Sequence, residues 1–338
     1  MIKKETSYSL LQHNTFGIDV KTATFVEFDS TEELVAVIKG GIGEPHFVIG
    51  AGSNLLFMND YKGTILHSNI TDISVVGETE EQIFVRVGSG VVLDDFIAYS
   101  VSQGWQGLEN LSAIPGEVGA SAVQNVGAYG VEAGDFIVKV EAVELDAVCE
   151  CTFTKEDCSF SYRNSIFKTL QKNRCVITHV TYGLRKASHA EYNLKYGNLR
   201  ASVEALGELS AANIREAVIS IRAQKLPDTA LLGSAGSFFM NPVVDCDKAA
   251  SLLALYSDMP QYDTAEGKKK LSAAWLIDKC GWKEKRMGCV GVYHCQPLVI
   301  VNHGGANGKD IYDYSQLIVD SVKERFGVEL VREVNVIE

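Results

Sequence analysis

The stretch that decides how this chain is read is Gly107 to Glu132, GLENLSAIPGEVGASAVQNVGAYGVE. It carries five glycines (Gly107, Gly116, Gly119, Gly127 and Gly130), one proline, the small pair Ala120 and Ala122, and hardly any charge. Large apolar residues are too sparse for a wide helical stripe, and they do not alternate as a half-buried strand requires. Glycine has no Cβ and reaches positive φ without steric cost, so such backbone can close on a flat or anionic group. An exposed surface loop is the ordinary alternative for a glycine-rich run. Leu108, Leu111, Ile114, Val118 and Val123 argue instead for a packed segment, and the expectation is one wall of a cofactor site.

Working outward, Gly50-Ala51-Gly52-Ser53-Asn54-Leu55 follows the short apolar run His46–Ile49. It begins like a dinucleotide fingerprint, but Leu55 stands where the third glycine belongs. Leu56-Phe57-Met58 does not open a helix either, so a Rossmann unit is not expected. A loop after a strand that offers backbone N–H groups, the Ser53 hydroxyl and the Asn54 amide can still cradle a diphosphate. Gly308-Lys309 is followed by Asp310 and lacks the upstream glycine at the required spacing, so it is no Walker A loop and phosphoryl transfer is not expected. Two separated glycine-rich loops can grip a long two-part cofactor between them.

The length of 338 residues allows two or three domains with sizeable cores. A formal net charge of -12 speaks against a nucleic-acid binder, which needs a basic face for phosphates. No apolar stretch is long enough to cross a bilayer, and the N-terminal MIKKETSYSLLQHN lacks the apolar centre of a secretory signal. A cytoplasmic protein is expected. Cys149, Cys151 and Cys158 cluster, and Cys289 and Cys295 flank His294, but neither group has zinc-type spacing. The reading is reduced, mostly buried thiols and no metal.

Ser30-Thr31-Glu32-Glu33 predicts a helix start, with Ser30 capping and Glu33 reaching back. Leu34, Val37 and Ile38 supply its apolar face, and Gly40-Gly41 ends it. Strands are expected at His46–Ile49, Thr64–Ser68, Gln82–Val87, Phe136–Leu145 and Cys175–Leu184, and a final one over Val328–Val336. Helices are expected over Val92–Gln103, with Gly104 just past its end, and over Asn213–Gln224, with Ile214, Ala217, Val218 and Ile221 on one side. Further helices are expected near Asp247–Tyr256, Ala273–Cys280 and Asp310–Phe326.

Four segments, IGAGSNLLF (Ile49 to Phe57), GLENLSAIPGEVGASAVQNVGAYG (Gly107 to Gly130), SYRNSIFK (Ser161 to Lys168) and GSAGSFFMNP (Gly233 to Pro242), stand in one order along the chain. Together they resemble the UDP-N-acetylenolpyruvoylglucosamine reductase family, in its longer type with a tyrosine-bearing loop at Tyr196-Gly197-Asn198-Leu199. The resemblance implies an α+β protein with a vanillyl-alcohol-oxidase/PCMH-type FAD-binding fold. Two α+β subdomains, 1–68 (with the C-terminal strand 328–338) and 69–212, would hold FAD. A third α+β domain, 213–327, would hold the substrate. It implies bound FAD, NADPH as cosubstrate, a nucleotide-sugar substrate, and no obligate protein partner, nucleic acid or membrane.

Carried over residue by residue, the resemblance makes Ser237 the proton donor and Arg163 and Glu333 the groups that stabilise the intermediate. The reaction asks for such a trio: hydride goes to one carbon of an enol ether, and negative charge builds on the neighbouring carbon and into the attached carboxylate. A fixed guanidinium can meet that carboxylate with two hydrogen bonds. A carboxyl group beside it should stay protonated more readily and donate a hydrogen bond. A hydroxyl is a competent donor once a strongly basic carbanion faces it. Read without the resemblance, Ser237 is a turn hydroxyl, Arg163 a surface ion-pairing residue and Glu333 an exposed strand residue. The resemblance assigns Tyr196, Lys225, Asn241 and Gln296 to the substrate. It assigns Gly50, Gly52, Ser53, Asn54, Leu55, Ile114, Pro115, Gly116, Gly119 and Ala120 to FAD, with Asn125 and Tyr129 as the weaker contacts. Lys225 alone reads equally as a lysine facing a helix C-terminus. Met240 stands where many members carry a basic residue, and Arg332 and Asn335 replace a common proline and arginine. Two rival functions fit the same residues: an FAD oxidase of an alcohol or hydroxy acid, and a non-catalytic nucleotide-sugar binder.

Overall fold

A computed structural model describes residues 2–264 and 266–338. The chain forms two compact units: one takes the chain up to Tyr8, Lys21–Ala51 and Lys62–Arg222, and the other Ser9–Val20, Gly52–Tyr61 and Ala223–Glu338. Both mix helices with sheets. The division falls inside the first glycine-rich loop, between Ala51 and Gly52.

The first unit is built on a six-stranded antiparallel sheet in the order Cys149–Thr154, Ile137–Glu144, Cys175–Lys186, Gln82–Gly88, Ile73–Glu78, with Trp105–Gln106 pairing the end of Cys175–Lys186. The central strand Cys175–Lys186 is buried without a break from Val176 to Leu184, polar Thr178, His179 and Thr181 included, as suits a strand covered on both faces. One face carries Phe96, Ile97, Leu111, Val118 and Tyr182 in a shared core. A second core joins Val143 and Val176 to Val26, Phe28, Leu34 and Leu66. Those last residues come from a sheet ordered Lys3–Ser9, Lys21–Phe28, Tyr61–Ser68, His46–Ile49 and from helix Thr31–Lys39. Ser30 caps that helix, accepting from Glu33 N at 3.2 Å. Glu33 reaches one residue beyond the cap, to the N–H of Asp29 at 2.9 Å, so the reciprocal half of the expected motif is displaced by one position.

The second unit contains the antiparallel sheet Gly233–Ser237, Val299–Asn302, Val290–Val292, Arg286–Met287 and a three-stranded sheet Val243–Val244, Lys269–Leu271, Gln261–Asp263. Its longest helix, Gly308–Phe326, starts with a full capping box between Asn307 and Asp310 and buries Ile311, Ser315, Ile318, Val322 and Phe326 at helical spacing. Glycine is required at Gly308, where a Cβ would lie 1.9 Å from the carbonyl of Phe57.

Three expectations are corrected. The glycine-rich stretch does contain a helix, Val118–Gln124, short enough that Val118, Ser121 and Ala122 suffice to bury one side of it. The final strand is only Asn335–Ile337, parallel to Leu55–Phe57; the chain before it is irregular, joined to its neighbours by single contacts instead of a ladder. The cysteines are all free thiols, but only Cys158 is buried, and Cys149, Cys246, Cys289 and Cys295 are exposed. Burial and the neighbouring acids Asp157 and Glu156 push the Cys158 thiol up to about 12, which keeps it protonated and inert. Among the described residues, no helix is long and apolar enough to cross a membrane.

Candidate active site

In the first unit the two glycine-rich segments meet. Strand His46–Ile49 runs parallel to Tyr61–Ser68 and delivers Gly50 at its end. A Cβ on Gly50 would lie 3.0 Å from Glu117 Oε2 and 3.6 Å from the Ala120 Cβ, so the loop packs on the start of helix Val118–Gln124. The chain around that start is laced to 89–93: Leu93 N bonds to Gly116 O (3.0 Å), Val118 N to Val91 O (2.9 Å) and Gly119 N to Ser89 O (2.9 Å). A Cβ on Gly119 would come within 2.8 Å of Ser89 Cβ. Gly116 takes φ 132°, and Ala120 and Pro115 are exposed. The result is a wall of backbone and small side chains, with Ile114 half-buried beside it.

Arg163 lies in a turn closed by reciprocal 3.0 Å bonds between Ser161 and Asn164, and it has φ 55°. Its guanidinium donates to Gly127 O at 2.7 Å, and a Cβ on Gly127 would press on it at 3.1 Å. The SYRNS turn and the glycine-rich stretch are therefore brought together. Asn125 ties the same parts: left-handed at φ 46°, it donates to Glu132 Oε2 (2.6 Å) and Ser161 O (2.9 Å) and accepts from Gly134 N (2.8 Å). The Tyr196 ring packs edge-on against Tyr129 at 5.7 Å, and the residue is 55% exposed. Asn110, unnoticed in the sequence, holds this arrangement by donating to both Tyr129 O (3.0 Å) and Asn193 O (2.8 Å).

In the second unit Ser237 ends strand Gly233–Ser237, opposite Val299 and just past a register shift. Gly236 before it has φ 69°, and a Cβ there would meet nothing within 4 Å. Glu333 runs alongside: its N–H donates to Phe238 O at 2.9 Å, and Phe239 bridges Arg332 antiparallel. Ser237 and Glu333, far apart in sequence, thus sit on adjoining backbone, both half-buried. Asn54 joins them, donating to Glu333 O at 3.2 Å, while Asn335 N donates to Asn54 O at 3.1 Å. Gly52, with φ 65°, is pressed against His13, whose carbonyl a Cβ would meet at 1.8 Å; Leu55 is buried in its short strand and Ser53 half-buried. Arg332 donates to Ser315 Oγ and Gln316 Oε1 and lies 4.3 Å over the Tyr312 ring, which fastens the Glu333 segment to helix Gly308–Phe326.

Gln296 shapes the turn next to Ser237. Val299 N bonds to its carbonyl at 3.0 Å, and Leu298, two residues on, accepts from Phe238 N at 2.8 Å. Asn241 Oδ1 accepts from Ala273 N at 3.0 Å and so serves the N-terminus of helix Ala273–Lys279. Lys225 is the exposed last residue of helix Ala211–Lys225. Met240 is half-buried and donates its N–H to Val331 O at 2.9 Å.

One half-buried cluster of ionisable groups beside the first wall was not foreseen. His67 Nε2 lies 3.1 Å from Glu117 Oε1, and Nδ1 lies 2.9 Å from Glu27 Oε2. Burial pulls the imidazole down, but Glu117 and Glu27 together outweigh it and hold His67 above its ordinary value. A raised folded-state value favours the folded state fully below about pH 6.5, where the unfolded chain is also charged, and that benefit fades as pH rises through the folded value. Replacing His67 with glutamine is therefore expected to cost more stability at about pH 6 than at about pH 9. Urea midpoints of both proteins at the two pH values measure this, and an equal cost at both would contradict the charged bridge.

The first unit's residues fit a flavin dinucleotide: Gly50 and Gly119 stand where side chains would crowd the wall. Comparison with known proteins agrees. Residues 22–150 match the FAD binding domain model, and residues 227–337 match the model of the UDP-N-acetylenolpyruvoylglucosamine reductase C-terminal domain. The first match spans every flavin residue expected from sequence; the second spans Ser237, Asn241, Gln296 and Glu333. A UDP-N-acetylenolpyruvoylglucosamine reductase of Bacteroides fragilis is 48% identical over 98% of this chain and 100% of its own. Proteins of that name from Porphyromonas gingivalis and Chromobacterium violaceum are each 41% identical, the former over 98% of both chains and the latter over 95% of both. The solved UDP-N-acetylenolpyruvylglucosamine reductase from Thermus caldophilus, 21% identical, shares the fold, with a TM-score of 0.69 over 100% of this chain and 99% of that one. The α+β FAD-binding fold expected from the motifs is the fold observed.

Proposed function

The chain belongs to the UDP-N-acetylenolpyruvoylglucosamine reductase family, and from that membership we infer how its residues divide the work. It is an FAD-dependent oxidoreductase that uses NADPH to convert UDP-N-acetylglucosamine enolpyruvate to UDP-N-acetylmuramate in peptidoglycan precursor synthesis. Bound FAD would supply the redox chemistry, with hydride taken from NADPH and passed to one carbon of the enolpyruvyl ether. Ser237 then gives its hydroxyl proton to the neighbouring carbon. Arg163 meets the substrate carboxylate as charge builds there, and Glu333 hydrogen-bonds to the same group.

The observation that carries the pairing of Ser237 with Glu333 is the 2.9 Å bond from Glu333 N to Phe238 O, which puts the two residues on adjoining backbone. Gly50, Gly52, Ser53, Asn54, Leu55, Ile114, Pro115, Gly116, Gly119, Ala120 and Asn125 form our flavin assignment, with Asn125 acting through the turn it anchors. Tyr196, Lys225, Asn241 and Gln296 form the substrate assignment, suited to a diphosphate, sugar hydroxyls and a pyrimidine. For the division of work we keep the sequence reading: 1–68 (with the C-terminal strand 328–338) and 69–212 hold FAD, and 213–327 holds the substrate. The matches at 22–150 and 227–337 support it. The enzyme acts in the cytoplasm on small molecules, with no obligate protein partner.

The test is spectroscopic. Under argon, one equivalent of NADPH should bleach the two visible flavin bands, and UDP-N-acetylglucosamine enolpyruvate should restore them. Restoration by oxygen alone, with the nucleotide sugar inert, would make the protein an oxidase. Bound nucleotide sugar with no flavin bands would make it a binder.

A further inference from the structure

Within the glycine-rich stretch, Ala113 takes φ 57° immediately before Ile114-Pro115-Gly116. A Cβ disfavours left-handed backbone, so a residue other than glycine stays there only where its surroundings over-determine it. Both backbone polar groups of Ala113 are held by side chains. Its N–H donates to Asp94 Oδ1 at 2.6 Å, and its carbonyl accepts from Arg222 Nε at 3.2 Å. Asp94 belongs to the first turn of helix Leu93–Ser102. Its carboxylate receives both terminal nitrogens of Arg215, one at Oδ1 and the other at Oδ2 at 2.9 Å. Arg215 and Arg222 stand about two turns apart on helix Ala211–Lys225, which places them on one face.

We propose that Asp94, clamped by Arg215, is a positioning residue for the cofactor: it fixes the left-handed backbone of Ala113 and so preshapes the Ile114-Pro115-Gly116 turn on which FAD rests. The proposal builds on the assignment of that turn to FAD. Burial pushes the Asp94 carboxyl up, but Arg215 and the Ala113 amide outweigh it and hold the group below the usual carboxylate range. The clamp is therefore charged at neutral pH. A bidentate pair fixes the carboxylate in direction as well as in place, which a single hydrogen bond to solvent-exposed Asp would not. Preorganisation of this kind shows in affinity, because the ordering is complete before the ligand arrives.

Glycine at position 113 needs no clamp, since left-handed backbone costs it nothing. That makes the proposal separable from a general loss of structure. A dilution series of the full-length holoenzyme, read by the fluorescence of released FAD, gives the dissociation constant, with far-ultraviolet circular dichroism as the check on folding. Asp94→Asn is expected to weaken FAD binding by about tenfold, and adding Ala113→Gly to restore it to within about threefold of the original. Arg215→Gln should weaken binding less, with the same rescue, and it decides the matter alone if Asp94→Asn does not fold. Unchanged affinity in these variants overturns the proposal, as does a loss that Ala113→Gly fails to rescue. A wild-type protein that holds no flavin at all is a different result and sinks the cofactor assignment.

Discussion

Replacing Ser237 with alanine is expected to lower turnover by about 10²–10⁴-fold, the span that a positioned general acid supplies. The substitution removes one oxygen and leaves the backbone intact. Ser237 pairs with Val299, and the left-handed turn that aims it belongs to Gly236. Neither depends on the hydroxyl. The protein should keep its melting temperature, its flavin and its affinity for the nucleotide sugar. Cysteine at the same place offers a more acidic proton in a similar volume, and it should recover part of the rate. An alanine variant as active as the original would leave Ser237 the turn hydroxyl that its sequence context alone suggests.

Replacing Arg163 with methionine should cost about 10²–10³-fold, the usual loss when a preorganised donor to developing charge is removed. The guanidinium is held in place by Gly127 O at 2.7 Å, so it is oriented before substrate binds. Negative charge on the substrate carboxylate grows as hydride arrives, and the loss should therefore fall on kcat more than on KM. Lysine keeps the charge but not the fork of donors, so Arg163→Lys should still lose at least about tenfold. Steady-state kinetics on both variants measures the split. A rise in KM with kcat unchanged would reduce Arg163 to ordinary substrate binding.

Much of this architecture is legible in the sequence because it is periodic or chemically pointed. Helix Ala211–Lys225 buries the four residues its spacing picks out, Ile214, Ala217, Val218 and Ile221. The C′ position of helix Leu93–Ser102 is Gly104, at φ 75°, as a glycine there predicts. The conformation of Glu333's segment was not legible. A run of valines after Gly327 suggests one long strand, yet Arg332 is drawn to Ser315, Gln316 and the Tyr312 ring of the preceding helix, and pairing with Phe239 ends after a single bridge. Helix Val118–Gln124 hid in Gly119, Ala120, Ser121 and Ala122, since four small residues in a helix of seven leave no measurable stripe. Asn110, the His67 bridge to Glu27 and Glu117, and the Asp94–Arg215 clamp were all missed for one reason. Each joins a side chain to a partner distant in sequence, and no local pattern records such a pair. Strand Cys149–Thr154 was missed because it lies at a sheet edge with no buried residue to mark an inward face.

The central claim is that Ser237 protonates the substrate carbon and does nothing for the step before. Anaerobic stopped-flow absorbance on the wild-type and Ser237→Ala enzymes separates the two half-reactions. The account predicts equal rates of bleaching by NADPH, and recovery of the flavin bands with UDP-N-acetylglucosamine enolpyruvate that is slower by about 10²-fold or more in the variant. Equal slowing of both half-reactions, or recovery at the wild-type rate, would contradict it.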